Sequence, residues 1–217
     1  MLTEKSKESL LQNGYIIFAS DYGKKAVAES WTVRLKKQVK QIDQFKPFQN
    51  YNIVTGGISL TVDIDLDSDE TRLLADSFLV PTASMFGRES TPKSHRLYKV
   101  IDLTKKHTRV FWDFKGATES MLVEMRANDH YTMCGGQYDN QEKVVWTSDG
   151  KPTEITYDAL FKSCAKLAVA SVLLRKSPMP GAKMRNEYWK LAIASMWYGK
   201  VEEEECIQIV EAVTTAH

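Results

Sequence analysis

The chain has 217 residues, 29 Lys and Arg against 28 Asp and Glu, a formal net charge of +1, and 43% hydrophobic and 26% charged residues. This composition excludes a collagenous or disordered chain and a strongly basic coat for nucleic acid, while leaving room for local basic surfaces. The length admits one large domain, or a domain of about 150 residues with a small helical appendage.

The elements expected in chain order begin with a helix in residues 4–12 and a strand over 15–19. A helix over 30–45 follows, then strands over 51–55 and 58–64 and a helix over 69–78. Strands are expected at 96–103, 108–114, 121–126, 131–134 and 143–147, all short and rich in β-branched or aromatic residues. After residue 155 the pattern turns helical, over 158–174, 187–198 and 202–213, with Pro178, Pro180 and Gly181 as punctuation. Strands with scattered helices and then a helical tail predict an α+β fold. The domain boundaries read as a core over 1–155 and a helical segment over 156–217.

No run of about 18 apolar residues is present, so no membrane span is expected. The first 14 residues are polar and mixed in charge, unlike a secretory signal. Cys134, Cys164 and Cys206 are odd in number and widely separated, which fits a reducing interior. No CxxC or CxxH spacing supports a structural zinc site. A cytoplasmic location is the expectation.

The most informative stretch runs from Ser59 to Glu70, where Asp63, Asp65 and Asp67 alternate with Val62, Ile64 and Leu66. On a strand these carboxylates share one face, and their mutual repulsion is costly unless a cation sits among them. Hard divalent ions such as Mg²⁺ or Mn²⁺ prefer oxygen ligands, and two of them about 3.5–4 Å apart activate a hydroxyl and steady a phosphate leaving group. A solvated edge-strand face is the plainer alternative. A calcium loop starting at Asp63 is excluded, because Ser68 stands where Gly is needed and Leu74 where Glu is needed.

A basic segment answers the acidic one. Between Phe86 and Arg109 stand Arg88, Lys93, Arg96, Lys99, Lys105, Lys106 and Arg109 against only Glu89 and Asp102. Carboxylates for cations and bases for phosphates are what a metal–polyphosphate site needs. Residues 87–98 read as a Pro-broken loop entering a strand, with His95 at the junction as a donor to a phosphate oxygen, or as an incidental surface histidine.

These pieces resemble the bifunctional primase-polymerase domain of the archaeo-eukaryotic primase superfamily. Val62-Asp63-Ile64-Asp65 looks like its DxD strand, and Gly87 to Tyr98, containing His95, like its histidine motif. Met121-Leu-Val-Glu124-Met-Arg126 looks like its third acidic motif. Gly23-Lys24-Lys25 and Asn52-Ile53-Val54-Thr55-Gly56-Gly57 resemble further family segments, and 160–213 its trailing helices. The sequence departs from the family at Lys93, where a serine is common, and at Gly135-Gly136-Gln137-Tyr138-Asp139, which replaces a Pro-Pro-Ser-x-His segment.

The resemblance implies a primase-type catalytic core with an RRM-like sheet, followed by a C-terminal helical segment. Asp63, Asp65 and Glu124 would hold two Mg²⁺ or Mn²⁺ ions, and His95, helped by Arg88, Lys93 or Arg96, would contact an incoming nucleotide triphosphate. The implied partners are a single-stranded DNA template and a primer, with a helicase domain or subunit, in replication of a plasmid, phage or other mobile element. Glu119 is a competing third acid, but its odd offset from Glu124 would put it on the opposite face if the strand reached that far, so Glu124 is preferred. A non-catalytic nucleic-acid-binding module is the second hypothesis, and a metal-dependent nuclease the third. Tyr188, Trp189, Trp197 and Tyr198 read first as helix-core aromatics and second as base-stacking platforms. Arg34, Lys36, Lys37 and Lys40 read as solvated helix surface or a template track.

Overall fold

Strand-forming runs recur through the described residues before 156. The computed structural model describes residues 7–20, 50–104, 108–113, 120–178 and 183–216. The expected helix at 30–45 with its four basic residues, the Gly23-Lys24-Lys25 turn, Lys105, Lys106 and Glu119 lie outside the described residues.

The described elements are α1 (Lys7–Gln12), β1 (Ile17–Ser20), β2 (Asn50–Thr55), β3 (Thr61–Leu66), α2 (Asp69–Phe78), β4 (Ser84–Arg88) and β5 (Thr91–Val100). After these come β6 (Arg109–Trp112), β7 (Met121–Arg126), β8 (His130–Gly135), β9 (Val144–Asp149), β10 (Thr153–Ile155), α3 (Tyr157–Lys176), α4 (Arg185–Tyr198) and α5 (Glu203–Ala216). The fold is α+β. A three-stranded sheet runs β1-β2-β8, and a seven-stranded sheet runs β6-β7-β3-β5-β4-β9 with β10 parallel to β5. No helix among the described residues is long and apolar enough to cross a membrane.

Contacts divide the chain into two compact units. The first comprises Met1–Leu66, Pro81–Val110 and Glu124–Ala159; the second comprises Asp67–Val80, Phe111–Val123 and Leu160–His217. The trailing helices thus group with α2 and the 111–123 segment, which precede them by many residues.

In the first unit, Leu10, Tyr15, Ile17, Tyr51, Ile53, Phe86, Leu97, Met133, Cys134, Val144 and Trp146 form one buried cluster. It draws side chains from β1, β2 and β8 on one side and β4, β5 and β9 on the other, so it is the core between two sheets. The Trp146 indole N–H donates to the Cys134 carbonyl at 2.8 Å, which satisfies its polar edge inside that core.

Two local readings change. The segment expected to be a Pro-broken loop is a β-hairpin, β4 turning at Glu89-Ser90 into β5. Pro92 is tolerated because β3 pairs with β5 only from His95 to Lys99, so no ladder partner on that side needs an N–H from residue 92. Gly87 is required there, because a Cβ would lie 2.0 Å from the Thr91 carbonyl oxygen and 2.7 Å from Ser94 Oγ. The strand expected from residue 58 begins at Thr61, since Gly57–Ser59 form a 3₁₀ turn closed by Leu60 in the left-handed region.

In the second unit, Ser68 caps α2 in a capping box with Thr71, and Asp69 and Glu70 occupy the positive end of the helix. Arg175 forks onto Glu70 at 3.0 and 2.8 Å and reaches Asp113 at 3.1 Å. Leu191, Trp197 and Tyr198 on α4 are exposed, so the core reading fails for Trp197 and Tyr198.

The hydrogen bonds from Arg175 outweigh desolvation and lower the Glu70 carboxyl from 4.5 to about 2. A depressed carboxylate contributes stability that is complete above its unfolded value and disappears as pH falls through its folded one. Urea midpoints of the wild-type chain should therefore fall between about pH 4.5 and 2 more steeply than those of Glu70→Gln. Parallel profiles would show that the Arg175 fork does not act on stability.

Candidate active site

The register of three strands builds the site within the first unit. β3 and β5 are antiparallel, with Asp65 opposite His95 and Asp63 opposite Leu97. β7 is the neighbour of β3 on its other side, and its Glu124 and Arg126, two residues apart, share one face of the pleat.

Side chains from these strands converge. Arg126 Nε donates to Glu124 Oε2 at 2.7 Å, Nη2 donates to Asp65 Oδ2, and Nη1 lies 3.5 Å from Asp63 Oδ2. Nη1 also donates to the Thr132 hydroxyl at 3.2 Å, which adds β8 to the site. His95 Nδ1 donates to Asp63 Oδ2 at 2.9 Å, and its Nε2 lies 3.6 Å from Asp65 Oδ1. His130 Nε2 stands 3.8 Å from Glu124 Oε1. Each nitrogen of the guanidinium thus addresses a different carboxylate.

Burial governs the electrostatics. The Asp63 side chain is 0% exposed, and those of Asp65, Glu124 and Arg126 are only 12%, 12% and 13% exposed. Burial pushes the Asp63 carboxyl up, but the charge and hydrogen bond of His95, then Arg126 and Thr132, outweigh it and hold it below the usual carboxylate range. Burial disfavours the charged His95 ring, yet Asp65 and Asp63 together raise its pKa. The same balance holds for Arg126: desolvation is overcome by Asp65, Asp63 and Glu124, and its pKa rises. The His95 ring also lies flat on Phe86, with centroids 4.6 Å apart and planes 6° from parallel.

The other expected residues divide. Lys93 is exposed two residues before His95, on the same face by the pleat. Arg88 is half-buried with its guanidinium 4.2 Å from the centroid of Tyr138. Arg96 pairs with Ile64 and Met85, is buried, and lies on the opposite face of β5 from His95, so it does not join the cluster. Asp67 is exposed past the end of β3, and Asp69 and Glu70 belong to α2, so the five-acid run splits into three environments.

Motif reading passed over Arg126, Thr132, Phe86 and Tyr138. Arg126 carried a signal, its even offset from Glu124. Thr132 carried none, because only the packing of β8 brings it near.

Among the described residues, no group of three or more His, Cys, Asp or Glu is disposed to hold a metal as it stands; the cation that the three acids share is Arg126. The donor set nevertheless suits a hard divalent ion, being three carboxylates. Asp63 Oδ1 is moreover buried without a hydrogen-bond partner. Compared with protein-family models and with curated proteins, the sequence matches none.

Phe86 is fully buried and supports both the core and His95. Phe86→Ala is expected to cost about 3–5 kcal/mol by urea denaturation, as large core truncations do. The His95 ring should lose its fixed orientation, seen as a narrowed spread of its NMR shifts. An unchanged midpoint would mean that the ring stack carries no stability.

Proposed function

We propose that the chain is a template-directed nucleotidyltransferase of the primase-polymerase type, acting on a single-stranded DNA template, a primer and nucleotide triphosphates in replication of a plasmid, phage or other mobile element. One observation carries the reading: Asp63 and Asp65 from one motif stand against His95 from a second, and Arg126 ties Glu124 of the third motif to them, in a partly water-excluded cluster. A solvated acidic strand face does not explain an Asp63 that is wholly buried.

In this reading Asp63, Asp65 and Glu124 hold Mg²⁺ or Mn²⁺. Bound, the ions supply a lowered pKa for the attacking 3′-hydroxyl and charge neutralisation for the triphosphate. The protein groups mainly position and neutralise. Asp63 Oδ1, buried without a hydrogen-bond partner, would be one of the oxygens that hold an ion. His95 stands against Asp63 and Asp65 with its ring plane fixed by Phe86, placed to donate to a triphosphate oxygen. Lys93, exposed on the same face, brings a positive charge toward a polyphosphate, and Arg88 is held half-buried by Tyr138.

A second reading has one observation in its favour: Arg126 already neutralises the acids, as a non-catalytic nucleic-acid-binding module would need. Incubation with single-stranded DNA, labelled nucleotides and Mn²⁺, with and without an annealed primer, separates the two. Wild-type protein should incorporate nucleotide, and Asp63→Asn with Asp65→Asn should lose about 100-fold or more of that rate while keeping its circular dichroism. Mn²⁺-dependent synthesis persisting in the double variant refutes the assignment. Salt-sensitive DNA binding that ignores EDTA, with no incorporation, supports the module.

A further inference from the structure

The centre of the candidate site is held by a residue that the motifs do not select. Arg126 Nε and Nη2 take Glu124 Oε2 and Asp65 Oδ2, and Nη1 stands 3.5 Å from Asp63 Oδ2. A guanidinium keeps its charge at every accessible pH, and its planar fork matches carboxylates better than any other side chain does. Its position follows from the chain itself, since two residues of β7 separate no faces and Glu124 brings Arg126 along. The remaining oxygens of Asp65 and Glu124 stand within 3.6 Å of His95 and 3.8 Å of His130. Asp63 Oδ1 and His130 Nδ1 are buried without a hydrogen-bond partner.

A divalent ion bound through these carboxylates would lie a few ångströms from the guanidinium, in a site largely screened from water. Like charges at that separation repel strongly when little water intervenes. Without any metal, the same guanidinium is what makes three buried acids tolerable. The two cations therefore answer one requirement and exclude one another.

From this geometry we infer that Arg126 is a built-in counter-ion that competes with divalent cations for Asp63, Asp65 and Glu124. Metal loading requires the guanidinium to release Asp65 and Glu124. The inference rests on the two-metal reading of the site and adds to it a residue that sets the metal concentration at which the site fills. Because binding free energies are reciprocally linked, removing one competitor tightens the other.

Thermal unfolding of the whole chain against Mn²⁺, without nucleotide or DNA, tests this in the wild type, R126Q and R126K. In the absence of metal R126Q should melt below the wild type. Its half-maximal stabilisation should come at about tenfold lower Mn²⁺, with R126K between the two. Folding of R126Q only when Mn²⁺ is supplied is the same outcome in stronger form. An R126Q half-point equal to or above that of the wild type overturns the inference, as does absence of any Mn²⁺ response in all three proteins. Should R126Q stay unfolded with and without Mn²⁺, R126K decides, and a half-point not below the wild type overturns it. Nucleotide incorporation is read separately. Incorporation with unshifted half-points removes the role of Arg126 and leaves the polymerase reading standing, whereas shifted half-points without incorporation do the reverse.

Discussion

A buried carboxylate needs a positive partner, and in this protein that requirement organises the first compact unit. Asp63 has no exposure to water, and Asp65 and Glu124 have little. Taking three such groups out of water costs several kcal/mol each after relaxation. Arg126 offsets the cost from β7, and His95 offsets it from β5. Neither can do so unless β3 lies between them in one register. A slip of a single residue would turn Asp63 and Asp65 to the other face and leave Val62 and Ile64 against the guanidinium. The charges therefore favour the same strand register as the apolar pattern.

The apolar core completes the arrangement from beneath. Phe86 and Leu97 belong to the cluster between the two sheets, and both stand on the face that carries His95 and Asp63. The imidazole is thus clamped between a phenyl ring and two carboxylates, which fixes its plane and favours its charged form. Gly87 lets β4 and β5 approach closely enough for that stack, since any side chain there would strike Thr91 and Ser94. Core packing and the candidate site share the same residues, so the site is built on strands rather than on loops.

Much of this was legible in the linear order. Alternation over residues 61–66 put Asp63 and Asp65 on one face, and the 121–126 strand and the 69–78 helix coincide with their observed limits. The third acid, Glu124, comes from family resemblance alone, and Arg126 bridges it to Asp65. Charge counting was less discriminating. The five acids of 61–70 looked like one cluster, yet Asp69 and Glu70 serve the positive end of α2. Arg96 looked equivalent to Lys93 within the basic segment, and the pleat puts it on the other side of the sheet.

What the amino-acid order determined by itself was local: period-two faces over 61–66 and the helix over 69–78. These depend on neighbours a few residues apart, and the backbone geometry carries them directly. Tertiary structure alone decided which cation answers the acids, which aromatic supports His95 and that Thr132 joins from β8. Those pairings depend on strand order and burial. The field felt by a carboxylate is set by what displaces water around it, and those groups come from distant parts of the chain.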